Sequence, residues 1–225
     1  MNSKKLEGKR LFISKNLGVQ DELYEWCEEN QVQLTAISQI SFQGTKFVLK
    51  DSFDVVFFSS ERAAHYFFEG INKIESSWKY ACIGQVTANK LEKYNVKCEF
   101  VGEEAGNPEK VAEQFKEWVG ERKVCFPRSN VSLKSMQNVL TQDQVIDLEV
   151  YQTIPSPSVI EPQDIYVFTS PSNVNAFLQT NQIPEKSQRI AWGKSTEKAI
   201  IENNLRVDRT LKFSTQKELI STLCE

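Results

Sequence analysis

Apolar residues fall along this chain in short blocks whose period keeps changing. Leu11-Phe12-Ile13 is a continuous run, and Asp21–Glu29 follows with Leu23, Trp26 and Cys27 on one helical face. Val32–Ile40 alternates weakly and leads into an extended crossing segment, Ser41-Phe42-Gln43-Gly44. Asp54–Phe58 is an unbroken apolar strand, the pattern of a sheet covered on both faces. The pattern then predicts a helix over Glu61–Gly70, a strand over Trp78–Ile83, a helix over Thr87–Tyr94 and a strand over Val96–Phe100. Asn107-Pro108 starts the next helix well, with Asn as cap and Pro in the first turn. Val111, Ala112, Phe115, Trp118 and Val119 share one side of it. Val124–Pro127 reads as a strand, Ser132–Leu140 as a helix and Gln144–Thr153 as an extended, alternating segment. Ile154-Pro155-Ser156-Pro157 then breaks regular structure.

The chain also contains itself twice. Asp54-Val55-Val56-Phe57-Phe58-Ser59-Ser60 is echoed by Asp164-Ile165-Tyr166-Val167-Phe168-Thr169-Ser170. Each copy is an acidic residue, an apolar run and two hydroxyl residues, and each precedes a helix-compatible stretch, Ala63–Phe68 and Val174–Leu178. Cys82-Ile83-Gly84-Gln85-Val86-Thr87-Ala88 pairs in the same order with Ala191-Trp192-Gly193-Lys194-Ser195-Thr196-Glu197. A third, fainter echo sets Gly106-Asn107-Pro108-Glu109-Lys110-Val111 against Ser214-Thr215-Gln216-Lys217-Glu218-Leu219. The offset, about 110 residues, is the size of a domain, not of a solenoid repeat.

The second copy shows only three strand–helix repeats after Gln163, fewer than the first. Its missing strand and helix are available at residues 9–36. The simplest arrangement is a discontinuous α/β domain of residues 1–36 and 155–225 with a similar α/β domain, residues 42–150, inserted into it. Residues 37–41 and 151–154 then cross between the two. Strand–helix alternation makes each sheet mainly parallel, a flavodoxin-like or Rossmann-like architecture with right-handed crossovers.

Composition narrows the chemistry. A net charge of −3 gives no field that would recruit nucleic acid or an anionic membrane. The basic start, MNSKKLEGKR, is not followed by an apolar core long enough for a secretory signal, and no run approaches the ~20 residues of a spanning helix. The five cysteines, Cys27, Cys82, Cys98, Cys125 and Cys224, are odd in number and lack C-x-x-C spacing. They read as reduced thiols of a cytoplasmic protein, without a disulfide framework or metal site. His65 is the one histidine and falls within a predicted helix, which argues against a Ser-His-Asp triad or a His-rich metal centre. No glycine-rich phosphate motif occurs.

In an open parallel sheet, ligands bind beyond the carboxyl ends of the strands. The repeat places Ser59, Ser60, Gly84 and Thr87 there in one domain, and Thr169, Ser170, Gly193, Ser195 and Thr196 in the other. Each set precedes or opens a helix, where unpaired N–H groups and the positive helix end favour anions. Two such rims facing each other would line a cleft. Hydroxyl residues at these positions also serve as ordinary helix caps. Lys15 and Arg128 each follow a predicted strand end. Asp54 and Asp164 open their strands and so belong to the opposite edge. A non-catalytic two-domain clamp for an anionic small molecule, like a periplasmic-type sensor, would share all these features.

At these residues the chain resembles uroporphyrinogen-III synthase of the tetrapyrrole pathway, over nearly its whole length. The pieces that carry the resemblance are Val150-Tyr151-Gln152-Thr153-Ile154-Pro155, Phe168-Thr169-Ser170-Pro171-Ser172, Ile83-Gly84-x-x-Thr87-Ala88 and Gly106-Asn107-Pro108-Glu109-Lys110. Each is short; their order and spacing make the case. The resemblance implies two α/β domains, one inserted in the other and joined by a two-stranded ladder (HemD-like), with the active site between them. It implies closure of linear hydroxymethylbilane to uroporphyrinogen III, with loss of water and inversion of ring D, without metal or organic cofactor. It implies Tyr151 as the tyrosine assisting departure of the hydroxyl, and Ser60, Thr87, Ser170 and Thr196 as substrate-binding rim positions. Asn107 stands at another helix start on the substrate side. The expected protein is a cytoplasmic monomer acting on a small molecule, with room for transient contact with the deaminase that makes the substrate. Departures from the family pattern are Lys15 where many bacterial members carry Arg, Arg128-Ser129 where they carry Arg-Gly, and Trp192 and Lys194 flanking Gly193 where smaller residues are usual.

Overall fold

The structure, a computed structural model, describes residues 6–104, 107–132 and 134–224; Gly106, which opens the third echo, lies outside them. The chain opens with β1 (Arg10–Ile13), α1 (Glu22–Glu29) and β2 (Gln33–Ala36). Then come β3 (Ile40–Gly44), β4 (Val55–Phe58), α2 (Glu61–Gly70), β5 (Lys79–Cys82), α3 (Gln85–Leu91), β6 (Cys98–Val101), α4 (Pro108–Val119), β7 (Val124–Ser129) and the long β8 (Val145–Pro155). The last third holds β9 (Ile165–Phe168), α5 (Pro171–Phe177), β10 (Gln188–Ala191), α6 (Lys194–Glu202), the short β11 (Arg209–Thr210) and α7 (Gln216–Leu223).

These elements form two compact units, one of Met1–Ser41 with Ile154–Glu225 and one of Phe42–Thr153. The first unit carries a five-stranded sheet in the order β11-β10-β9-β1-β2, parallel throughout. The second carries the order β3-β8-β7-β4-β5-β6, parallel from β8 to β6. Thus β9, β10 and β11 take the places of β4, β5 and β6, while β1 and β2, from the other end of the chain, take those of β7 and β8.

Alternate residues of each strand face opposite cores, as pleating requires. In the second unit Val56, Phe58, Tyr80 and Cys125 join one apolar cluster; Val55, Phe57, Ala81 and Phe126 join the other, under α4. In the first unit Leu11, Ile13 and Val167 lie on one side, and Phe12, Tyr166 and Phe168 on the other. Because both faces are covered, β4 and β9 are fully buried, which is why they read as unbroken apolar runs.

The acidic residue that opens each echo works at the amino edge of its sheet. Asp54 Oδ2 accepts the Lys123 N–H at 2.9 Å, and Asp164 Oδ2 accepts the Arg10 N–H at 2.8 Å. Lys123 and Arg10 adjoin the central strand partners β7 and β1, so the same carboxylate pins the same neighbour in both units. Asp208 Oδ2 does likewise for the Arg189 N–H at 2.8 Å.

Three expectations change. Ser132–Leu140 is not a helix: among its described residues only Gln137–Val139 forms a 3-10 turn, and Lys134 has φ +56°, a left-handed conformation that ends any helical run. The helix expected over Thr87–Tyr94 begins earlier, at Gln85, ends at Leu91 and is followed by a separate 3-10 turn over Glu92–Tyr94. Val32–Ile40 is split into β2 and β3 around the fully buried Gln39. Gln39 donates its N–H to Asn173 Oδ1 (2.8 Å), accepts the Ser158 N–H on Oε1 (2.9 Å) and accepts the Ser156 N–H on its carbonyl (2.8 Å). Residues 151–154 are extended, as expected of that crossing, and form the last part of β8.

The Arg10 N–H, with help from Lys9, holds the Asp164 carboxyl below its ordinary 3.8 against the opposing effect of burial. A carboxyl whose pKa is lowered by folding contributes stability above its unfolded pKa, and loses it as pH falls through the folded value. Asp164→Asn should therefore lower stability at pH 7 and flatten its fall below pH 3.8, measured by urea unfolding at stepped pH. An acid limb as steep as the unaltered protein's would show that another carboxylate governs it.

Candidate functional site

Since the strands β4, β5, β6 and β7 are parallel, as are β9, β10, β11 and β1, each unit gathers its strand ends and following helix starts along one edge. The local geometry at that edge repeats closely. Ser60 and Ser170 cap α2 and α5 with φ −161° in both, accepting the Ala63 N–H at 3.2 Å and the Asn173 N–H at 3.3 Å. A capping oxygen is used as an acceptor, so each serine keeps its O–H proton free to donate outward. Ser170 Oγ also accepts the Asn173 amide at 2.9 Å, which fixes it further.

Gly84 and Gly193 precede α3 and α6 in the same extended conformation, φ 175° and 178°. The first turns then close identically: Thr87 N–H donates to Gly84 O and Thr196 N–H to Gly193 O, both at 3.0 Å. The N–H groups of Gln85 and Val86, and of Lys194 and Ser195, find no acceptor among the described residues. Two oriented donors are thus left at each of these turns. Asn107 caps α4, with Oδ1 accepting the Lys110 N–H at 3.4 Å. Sequence reasoning missed Gly102, beyond β6. A Cβ there would collide with the Ile83 carbonyl oxygen, so only glycine lets this loop close against the Ile83-Gly84 turn.

Several hydroxyls turn inward. Thr87 and Thr196 are buried, 8% and 2% exposed. Thr169 is committed to the sheet end: its hydroxyl donates to Ser14 O and its N–H donates to Ser14 Oγ, each at 2.8 Å. These three fix the shape of the rim, whereas Ser59 and Ser195 are exposed at its surface.

Lys15 and Arg128 prove to be equivalent. Val55 pairs with Val124 and its counterpart Ile165 pairs with Leu11, so four residues on, Arg128 matches Lys15. Their surroundings differ. Lys15 is exposed and makes no ion pair among the described residues. Arg128 lies 3.1 Å by Nε from Asp147 Oδ1, on β8, and donates from Nη1 to Ser129 O at 2.8 Å. Asp147 also takes the Lys134 ammonium at 2.5 Å and the Gln137 amide at 3.0 Å. Burial pushes the Asp147 carboxyl up, but Lys134, Gln137 and Arg128 together outweigh it and hold it below 3.8. Ser59 and Arg128 line a cavity of about 330 Å³ at this edge of the second unit, floored by Phe57, Phe126 and Met136.

Tyr151 sits inside β8 and is 7% exposed. Its ring stacks on Tyr66 (centroids 5.2 Å, 22° between planes) and meets Phe42 edge-on at 6.1 Å. The Arg62 guanidinium lies 3.4 Å over the other ring of this group, Phe42. The Tyr151 hydroxyl has no hydrogen-bond partner among the described residues. The ring is therefore held rigidly while its proton is uncommitted. Phe42, Tyr66 and Arg62 escaped sequence reasoning because they belong to a strand and a helix distant in the chain. His65 faces Glu69 (3.4 Å) and Tyr94 (3.5 Å) on the surface of α2, away from any nucleophile pattern.

Thr169→Val should lower stability by about 1 kcal/mol, the worth of one partly buried hydrogen bond, read as a lower urea midpoint at unchanged slope. An unchanged midpoint would mean that the Ser14–Thr169 pair does not hold the sheet end.

Unpaired helix-start amides, a capping serine and one cation thus recur at the carboxyl edge of each unit, and the clamped phenol of Tyr151 is added in the second unit alone. A family model described as uroporphyrinogen-III synthase HemD matches residues 21–221. No curated protein matches the chain. Among solved structures, the uroporphyrinogen-III synthetase of Helicobacter pylori is similar at TM-score 0.70 and 14% identity, over 96% of this chain and 98% of that one. A mutant uroporphyrinogen III synthase of the extremely thermophilic bacterium Thermus thermophilus is similar at TM-score 0.62 and 11% identity, over 96% of each chain. At such identities the structures speak for the fold; the family model, spanning most of the sequence, shows that the chain belongs to the uroporphyrinogen-III synthase family.

Proposed function

We propose that this chain closes linear hydroxymethylbilane to uroporphyrinogen III, as a cyclising hydro-lyase. The observation that carries the proposal is the family match over residues 21–221. The substrate bears eight carboxylates, and the edges of both units are suited to that load. Gln85, Val86, Lys194 and Ser195 offer N–H donors, Ser60 and Ser170 offer hydroxyl protons, and Lys15 and Arg128 offer charge.

In this reading the hydroxymethyl group of the bilane accepts a proton from the Tyr151 phenol and leaves as water. Its carbon becomes an azafulvenium cation. The substituted α-carbon of ring D attacks that cation, giving a spiro intermediate. The bond between ring D and its original bridge then breaks and re-forms at the other α-carbon, inverting the ring. Loss of the ring proton restores aromaticity and can return the proton to the phenolate. Hydroxymethyl pyrroles ionise readily, so most of the enzyme's contribution is orientation, which is worth many powers of ten when the reacting atoms are held close. A neutral phenol suits the acid role because it does not repel the carboxylates. The aromatic contacts to Tyr66 and Phe42 favour it further by fixing the ring.

The test is to feed porphobilinogen through a deaminase in the presence of this protein, oxidise, and separate the isomers. Isomer III in excess is expected; isomer I alone, the product of spontaneous closure, would reject the reading in favour of a non-catalytic clamp. Tyr151→Phe should fold normally and lose about 100-fold in kcat with little change in KM, the scale of one general acid. Wild-type turnover in that variant would remove the acid role and leave orientation by the two edges as the source of catalysis.

A further inference from the structure

Two cations, Arg128 and Lys134, converge on a single carboxylate, Asp147, beside the cavity of the second unit. Both cations line that cavity; Asp147 does not, so the acid holds them from outside it. The charge does not cancel, since one carboxylate faces two cations. Nor are the donors used up. Arg128 Nη1 donates to Ser129 O, while Nε lies at ion-pair distance from Asp147 without a hydrogen bond and Nη2 has no partner among the described residues. The Arg128 side chain is 16% exposed and that of Asp147 25%, so their ion pair is partly withdrawn from water and only weakly screened. Three hydroxyls, Ser59, Ser132 and Ser135, line the same space, whose floor is the apolar trio Phe57, Phe126 and Met136.

This clamp is not a by-product of the repeat. At the equivalent place in the first unit, Ala36 pairs with Ile13 where Asp147 pairs with Phe126, so the neighbouring strand offers Lys15 no carboxylate at that position. The clamp is also built at a cost. Lys134 adopts φ +56°, a left-handed conformation that disfavours a residue other than glycine by about 1 kcal/mol.

We propose that this cavity seats one pyrrole ring bearing carboxylate side chains, with Arg128 and Lys134 gripping the carboxylates and Asp147 positioning both cations. The ring identity rests on the synthase reading. The number of rings rests on size: about 330 Å³ lies at the bottom of the range of roughly 300–1,000 Å³ for small-molecule sites, enough for one substituted ring and not for four. An apolar floor under a cationic mouth matches a flat aromatic ring with acidic arms better than it matches a bare anion.

Porphobilinogen, a single pyrrole with one acetate and one propionate, is the probe. Titrated into the ¹⁵N-labelled protein, it should shift the amides of Ser59, Ser132 and Met136 together. Lys134→Ala should weaken this binding at least 10-fold, and Lys134→Arg should restore most of it. Asp147→Asn sharpens the test, because it adds net positive charge while freeing both cations. A simple charge account predicts tighter binding in that variant; the positioning role predicts weaker binding. No shifts at those amides by 20 mM probe, equal shifts with inorganic phosphate, or unweakened binding in Lys134→Ala or Asp147→Asn would overturn the inference. The titration needs no turnover. A protein that makes only isomer I yet passes it keeps the monopyrrole site and loses the synthase reading; isomer III with a silent cavity does the reverse.

Discussion

The structure depends on one constraint: parallel strands, buried on both faces, must be joined by crossovers that return to the same edge. Every strand then delivers its carboxyl end, and every following helix its unpaired N–H groups, to a single rim. Asp54 and Asp164 secure the other edge by pinning Lys123 and Arg10, which aligns β4 with β7 and β9 with β1. With those strands aligned, the positions of Ser60, Gly84 and Arg128 in one unit, and of Ser170, Gly193 and Lys15 in the other, follow from the fold. The site is the exposed end of the architecture, not an addition to it.

The two units share this scaffold but not its charge. The extended glycine, the closing bond from the third helical residue and the serine cap recur almost without change, because any substitution there alters the helix start itself. The residues next to them vary more freely. Arg128 is braced by Asp147, while Lys15 stands unbraced beside Ala36. A repeated rim therefore offers similar backbone donors twice, and unequal side chains set different demands on whatever each rim holds.

Much of this was legible in the sequence. Apolar runs buried on two faces cannot hide, so β4 and β9 were evident, and the echo between them pointed to two α/β units. The strand-end hydroxyls were legible as rim residues, but sequence could not say which way each hydroxyl faces. Thr169 echoes Ser59 in the chain, yet Ser59 is exposed while Thr169 is bonded to Ser14 across the sheet, 155 residues away. Ser132–Leu140 misled for a local reason: its composition suits a helix, but the left-handed backbone at Lys134 serves a contact with Asp147 that only the tertiary fold creates. Gly102 carried no signal either, since its need for a missing Cβ comes from the Ile83 carbonyl in the turn that follows the neighbouring β5.

The proposed activity requires that the matched backbone donors at the carboxyl edge of each unit take up substrate carboxylates. Amide hydrogen exchange of the protein, free and saturated with uroporphyrinogen III, tests it most directly. The account predicts that Gln85 and Val86 in the second unit and Lys194 and Ser195 in the first are slowed together, while Arg10 and Lys123 at the opposite edges are unaffected. Protection confined to one unit, or appearing at the amino edges, would contradict it.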